Sequence, residues 1–282
     1  MPGSGLSIGV GAATLARHGG ARRSTVTGGG VPAGKAMTSP LLLLTEMVRL
    51  PSMKRFALIV GAALLLVIAL AAIRLAPLFL APNDYAGVAS IERSATYRDP
   101  SLMRTAWSLP VATRYRRQPY EFQHNQSVCG PTSVADVLHS LGNASSQEKV
   151  LSGFPKQTWF GYLLGGLTLD ELRDLLSRRT GRPVQILRNL DLAHFRAEMR
   201  LVNDPHWRFI ANFHRGPLFG RGHGHFSPLL AYLPDRDLVL VGDVNAAYRP
   251  FLVSTERLWR AVDTVDPDTG KKRGLAVLTS SA

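Results

Sequence analysis

Hydrophobic and polar positions divide the chain into three stretches. Residues 1–52 show no period; Gly, Ala, Ser and Thr dominate and aromatics are few, so the segment reads as disordered. Phe56–Ile73, FALIVGAALLLVIALAAI, is 18 residues of unbroken apolar sequence with no charge and no polar face. Beyond residue 80, apolar positions recur first at helical spacing and then at strand spacing.

The stretch 81–117 holds Pro82, Pro100 and Pro110 and reads as an irregular linker; the domain proper is placed at 118–282. Pro131 suits the first turn of a helix and Gly142 its end, with Val134, Val137, Leu138 and Leu141 sharing a face between them. Thr168 and Glu171 form a capping box for a helix with Leu169, Leu172, Leu175 and Leu176 on one side and a stop near Gly181. Asp191 is expected to cap a third helix, carrying Leu192, Phe195, Met199 and Val202. Arg208–His214, Phe226–Leu233 and Leu238–Val244 then read as strands, with a turn at Pro234–Asp237. A short helix containing Leu258, Trp259 and Val262 and a strand at Leu275–Thr279 follow. Helices first and antiparallel strands afterwards predict an α+β domain.

The apolar run changes the picture of where that domain works. Roughly 20 apolar residues of helix span a hydrocarbon core, so Phe56–Ile73, continued past Arg74 to Leu80, suffices. Its length favours an uncleaved signal-anchor at 53–80 over a cleaved signal peptide, whose apolar core is shorter; secretion after cleavage is the alternative. In residues 1–55, seven Lys and Arg face the single acid Glu46, which is expected to keep that end in the cytoplasm. The domain beyond residue 80 would then lie outside the inner membrane, in the periplasm of a Gram-negative cell. Met53-Lys54-Arg55, followed at once by the apolar run, also reads as a chain start, which would leave 1–52 untranslated.

The formal charge of +13 is spread without a basic helix or interleaved aromatics, so no nucleic-acid partner is expected. The one cysteine, Cys129, excludes an intrachain disulfide and a Cys-rich metal module. It opens the run CGPTSVADVLHSLG just before the predicted helix, where the positive end of the helix dipole lowers a thiol pKa. Far downstream, His225 in GHGHFSP begins one predicted strand and Asp243 ends the next. Paired strands would bring these two together, the Asp fixing the imidazole that serves the thiol. Gln123, six residues before Cys129, is placed to offer a side-chain N–H to an oxyanion, with Gln126 as its substitute.

HRGPLFGRGHGHFSPLLAYLPDRDLVLVGDV resembles the core of the phytochelatin synthase family, the glutathione γ-glutamylcysteinyltransferases. The shared features are the HRG start, the glycine-spaced run to GHFSP, the spacing from His225 to Asp243, and the Gln before Cys129. Leu258-Trp259, Ala261, Thr264, Asp266, Gly270-Lys271 and Arg273-Gly274 are similar to the family's closing stretch, so the resemblance runs over about 120–275. It implies a papain-like fold in which Cys129 is acylated, His225 is acid and base, and Asp243 orients it. It also implies that Arg215, Gly224 and Tyr248 bind substrate. The implied reaction cleaves the Cys–Gly bond of glutathione, with γ-Glu-Cys passed to water or to a second glutathione. No tightly bound cofactor is implied; cadmium or zinc enters as activator or as the glutathione thiolate itself. Glutathione or a related γ-glutamyl thiol peptide is the expected partner, and a homodimer is a further expectation.

Ala246 stands where the family has a basic residue three positions after the Asp, and the following run is reduced to Ala247-Tyr248-Arg249-Pro250. This favours hydrolysis or limited transfer over polymer synthesis. CGPTSVADVLHSLG also resembles the peptidases that trim bacteriocin leader peptides, so a papain-like peptidase acting on other peptides is the principal alternative. A noncatalytic metal module built on His214, His223 and His225 is a second, short of the three or four clear ligands that zinc needs. Gly220, Gly222 and Gly224 do not lead from a strand into a helix, which excludes a phosphate loop.

Overall fold

A computed structural model describes residues 52–80, 84–117 and 120–279. The expectations for 1–51, disordered or untranslated, fall outside the described residues. The chain divides into two units at Leu80. The first contains one continuous helix, α1 (Ser52–Leu80). Its stretch Ser52–Arg74, 23 residues, is long and apolar enough to cross a membrane, and its apolar side chains are exposed rather than packed.

The second unit is an α+β domain around a six-stranded antiparallel sheet. Its strands are β1 (Val184–Leu187), β2 (Trp207–His214), β3 (Gly224–Leu233), β4 (Leu238–Val241), β5 (Phe251–Ser254) and β6 (Gly274–Thr279), in the spatial order β1-β6-β2-β3-β4-β5. The helices are α2 (Pro100–Ser108), α3 (Pro110–Arg116), α4 (Cys129–Ser140), α5 (Leu169–Thr180), α6 (Leu192–Leu201), the single turn α7 (Gly216–Phe219) and α8 (Thr255–Val262).

Side chains alternate across the sheet and feed two cores. On one face Ile210, Leu230, Leu240, Ala276 and Leu278 meet residues of α2 to α5, including Val134, Val137, Leu172 and Leu176. On the other, Phe209, Phe213, Val239, Val241 and Val277 meet Phe195 and Met199 of α6 and Leu258 and Ala261 of α8. The capping box at Thr168 and Glu171 forms as the spacing predicts, and Gly181 ends α5 at φ 66°, a left-handed conformation that suits glycine.

Two features depart from the sequence reading. The stretch read as an irregular linker carries α2 and α3, packed into the core through Ala106, Val111, Ala112 and Tyr115. Pro100 and Pro110 start helices rather than break them; each sits in the first turn, where a missing N–H costs nothing, and Asp99 caps α2 through Ser101 and Leu102. The helix after the cysteine also begins earlier than Pro131 suggests, so Cys129 is its first residue. Its far end is held by buried Arg208, which donates to Ser140 Oγ at 2.8 Å and to the Ser140 carbonyl at 3.3 Å. A cation suits that end of the helix dipole.

Candidate active site

Cys129, His225 and Asp243 come from α4, the second position of β3 and the loop just past β4, and all are buried. Antiparallel pairing of β3 with β4 carries the Asp back to the His, and Gly242 N–H donates to Pro228 O at 2.8 Å where the ladder ends. The Cys129 thiol faces His225 and the Phe226 N–H, both of which favour its ionised form. Behind it, His225 Nε2 lies 3.1 Å from Asp243 Oδ1. Donation of the Nε2 proton to that carboxylate leaves Nδ1 for the thiol.

Burial raises the Cys129 thiol pKa, but the His225 charge, the bonds from His225 and Phe226, and Arg215 bring it below its ordinary value. Burial and Arg215 oppose the charge on His225; Asp243 and the Cys129 thiolate outweigh them and raise its pKa. Asp243 is held below the usual carboxylate range, burial being overcome by His225 and Arg215. The three directions together favour a thiolate–imidazolium pair with an ionised carboxylate behind it.

Asp243 Oδ1 also accepts from Asn245 N–H at 2.8 Å and from Arg215 Nη2 at 2.9 Å. The same Nη2 faces Oδ2 at 2.8 Å, an oxygen with no hydrogen-bond donor of its own. Arg215 is sandwiched by aromatics; its guanidinium lies 3.8 Å from the Tyr248 ring centroid and within 6 Å of Phe213 and Phe219. Its Nη1 is buried without a partner.

Two hollows open beside the Cys129–His225 pair. One is lined by Gln123, Arg215, Asn245 and Tyr248 together with His225. Gln123 is pinned there by its N–H to Val244 O at 2.8 Å, and its Oε1 is buried without a partner. The other is lined by Cys129, Gly166, Phe226, Asp266, Asp268 and Arg273. Gly224 and Gln126 border both. A Cβ on Gly224 would meet the Arg273 guanidinium at 2.5 Å, so any larger residue there would push that guanidinium aside.

Sequence reasoning assigned no role to Arg273, Asn212 or Asp266. Arg273 is buried, donates from Nη1 to Asn212 Oδ1 at 2.9 Å, faces Asp266 at 3.6 Å, and leaves Nε unpartnered. Asn212 faces Gly274 across the β2–β6 ladder, which brings it to Arg273. The available signal was the position of Asp266 and Arg273 in the family-like closing stretch.

Among the described residues, His214, His223 and His225 do not bring three ligand atoms within 4.8 Å of one another. His225 is committed to Asp243, and His214 Nδ1 accepts from Gly216 N–H at 3.0 Å, burial bringing its pKa down to about 4. Among the described residues, Glu121, His124 and Glu148 bring ligand atoms within 4.8 Å of one another. His124 Nδ1 and Glu148 Oε1 lie 2.9 Å apart, and both side chains are exposed.

The sequence matches the profile of phytochelatin synthase over residues 94–275. The chain belongs to the phytochelatin synthase family. Curated relatives include glutathione gamma-glutamylcysteinyltransferase 1 of Arabidopsis thaliana, 35% identical over 82 residues, 29% of this chain and 17% of that protein. Another is glutathione gamma-glutamylcysteinyltransferase 3 of Lotus japonicus, 41% identical over 71 residues, 25% of this chain and 15% of the relative. The chain thus matches less than a fifth of those relatives' length. Among solved structures it aligns with the peptidase domain of Streptococcus ComA, a bifunctional ABC transporter involved in quorum sensing, at 17% identity and a TM-score of 0.41 over 58% of this chain and all of that one. A putative C39-like peptidase from Bacillus anthracis aligns at 13% identity and a TM-score of 0.41, over 58% of this chain and 96% of that one. Superpositions this loose leave the fold to rest on its own architecture. Ala246 is exposed in the loop beyond Asp243, and Arg215 is the arginine lining the adjacent hollow.

Proposed function

We propose that the chain is a thiol acyltransferase or hydrolase that cleaves the Cys–Gly bond of glutathione or a related γ-glutamyl thiol peptide. The observation that carries this is the thiol at the start of α4, facing a histidine whose far nitrogen is held by a buried aspartate. The Cys129 thiolate attacks the carbonyl of the Cys–Gly bond, and the Gln123 side-chain amide with the Cys129 N–H stabilises the oxyanion. His225 gives its proton to the departing glycine amine, leaving γ-Glu-Cys as a thioester on Cys129. His225, now neutral, takes a proton from water or from the amine of a second glutathione as it attacks the thioester.

The two hollows suggest which end of the substrate goes where. Arg273 with Asp266 and Asp268 offers one cation and two carboxylates beside the thiol, matching the α-carboxylate and α-ammonium of a γ-glutamyl group. The hollow of Gln123, Arg215 and Tyr248 receives the leaving glycine and the acceptor. Glutathione thiolates of cadmium or zinc are the expected metal-loaded substrates. The exposed Ala246 favours water or a short acceptor over chain growth.

The helix α1 is read as a membrane anchor with its N-terminal flank in the cytoplasm and the domain outside. A C-terminal reporter active only in the cytoplasm would refute that topology. The chemistry is tested on the full chain in detergent with glutathione, with and without cadmium, followed by mass spectrometry. Expected are glycine, γ-Glu-Cys and a transient adduct on Cys129, all abolished in Cys129→Ala. Longer (γ-Glu-Cys) chains would mark a synthase. No turnover of glutathione, with cleavage of other peptides, would transfer the assignment to a papain-like peptidase.

A further inference from the structure

The segment between Phe154 and Thr168 contains no acidic residue, and its middle, Trp159-Phe160-Gly161-Tyr162, closes a two-residue hairpin. Trp159 N–H donates to Tyr162 O at 2.8 Å and Tyr162 N–H to Trp159 O at 2.9 Å. Phe160 and Gly161 take φ of 47° and 80°, the positive pair that a type I′ turn needs. For phenylalanine that backbone is uncommon and strained. The strain is held in place from below. Leu163 is fully buried and donates its N–H to Ser127 Oγ at 2.9 Å, and Asn125 Nδ2 donates to Gly161 O at 2.9 Å.

What this rigid base presents is apolar. Trp159, Phe160, Tyr162 and Leu164 are 65%, 84%, 57% and 67% exposed, and the Trp159 and Phe160 rings lie edge to face at 4.9 Å. Among the described residues beyond Leu80, Val265 is the one other large apolar side chain this exposed. Scattered single apolar residues on a surface need no explanation, whereas a contiguous cluster marks a contact.

We propose that this hairpin tip inserts into the interfacial layer of a phospholipid bilayer. The inference rests on the reading of α1 as a membrane anchor. The domain follows α1 in the same chain, so an anchored α1 tethers it to the bilayer. Tethering raises the local concentration of bilayer so far that a weak contact suffices. The chemistry of the tip agrees. Trp and Tyr favour the headgroup level because an apolar ring and a polar atom are both satisfied there, and Phe and Leu add buried apolar area. The absence of carboxylates from the segment itself removes repulsion from an anionic lipid surface, and Lys156 at its foot is paired with Glu171 at 3.2 Å. The hairpin runs directly into Gly165, Gly166 and Leu167, which line the hollow beside Cys129. An inserted tip therefore sets that hollow at the membrane surface.

The test uses the full chain reconstituted into vesicles of phosphatidylcholine and phosphatidylglycerol, with and without acyl-chain-brominated lipid, and tryptophan emission as the readout. The expected result is quenching of the wild-type emission by the brominated lipid and loss of most of that quenching in Trp159→Phe, with Trp159 shielded from aqueous acrylamide. Equal lipid quenching in both proteins, with Trp159 open to acrylamide, overturns the proposal and places the tip in water. Shielding of Trp159 from both quenchers also overturns it and points to a protein cover such as a second copy. An alkaline carbonate wash separates this from the anchor. A chain that stays in the vesicles upholds the anchor whichever way the tip behaves. A chain that washes out refutes the anchor, and the same quenching comparison on the released protein remixed with vesicles then decides the tip.

Discussion

Two buried arginines stand beside the Cys129–His225 pair, and they are held in opposite ways. Arg215 lies on the ionised Asp243 and is clamped by Tyr248, Phe213 and Phe219. Arg273 has a neutral partner in Asn212, a carboxylate only at 3.6 Å in Asp266, and no side chain at all on the side where Gly224 passes. A charge already neutralised tunes its neighbours, and a charge left partly unpaired in a hollow awaits a ligand. Under the proposed function, the difference favours Arg215 for the electrostatics of the reacting groups and Arg273 for substrate binding.

The comparison breaks most sharply at Asp243, the anion that Arg215 and His225 share. Asp243→Asn removes the charge while keeping the shape, and kcat is expected to fall about 10⁴-fold, as when an aspartate no longer fixes the imidazole tautomer. A loss in steady-state assays of tenfold or less would show that His225 is oriented without the carboxylate charge.

Arg215→Met is the next in size. It leaves Asp243 short of its ion-pair partner, at a stability cost on the order of 3 kcal/mol in denaturant titrations. Arg215 opposes the charge on His225 and supports that on Asp243, so its loss lets the imidazolium persist to higher pH. The alkaline limb of the kcat/KM profile should therefore move up in pH. The sign for stability follows in the same way. The His225 pKa is raised on folding, so its ion pair with Asp243 stabilises fully below the ordinary histidine value and fades as pH rises through the raised one. An unmoved alkaline limb in Arg215→Met would deny it the tuning role.

Arg273→Met should leave that limb in place. A charge-assisted bond to a substrate carboxylate is worth roughly 1.5–3 kcal/mol, so KM for glutathione is expected to rise about 10- to 100-fold with kcat nearly kept. A fall in kcat at constant KM would reverse the assignment of the two arginines. The smallest and most local test is Gly224→Ala. Its methyl displaces the Arg273 guanidinium, and KM is expected to rise about tenfold, near the effect of one weakened hydrogen bond, while the Arg215-dependent pH limb stays fixed. An unchanged KM would show that Arg273 does not touch substrate.

Elements with strong local signals were legible in the chain itself. The Thr168–Glu171 box, the leucines of α5 and the strands around His225 announce themselves through capping chemistry and periodicity. The helices α2 and α3 were not, because proline in a first turn and proline in a loop look alike when the partner surface is unknown. The short strands β1 and β5 were missed for a related reason; four residues carry too little pattern, and their pairing with β6 and β4 supplies what the pattern lacks. The candidate site divides in the same manner. Cys129, His225 and Asp243 were readable as a set, since a helix start and two paired strands define their approach. Arg273 and Asn212 meet across 61 positions of sequence, and no local rule joins them.

The sequence by itself therefore determined the apolar run of α1, the α+β class, the thiol at a helix start and the His–Asp spacing, all of which follow from local periodicity and short-range chemistry. The tertiary structure alone decided that Arg215 is spent on Asp243, that Arg273 borders the thiol, and that the aromatic hairpin at Trp159 stays outside the core. Each of these depends on which distant side chains share a low-dielectric volume, and that volume exists only once the sheet has paired and the helices have closed over it.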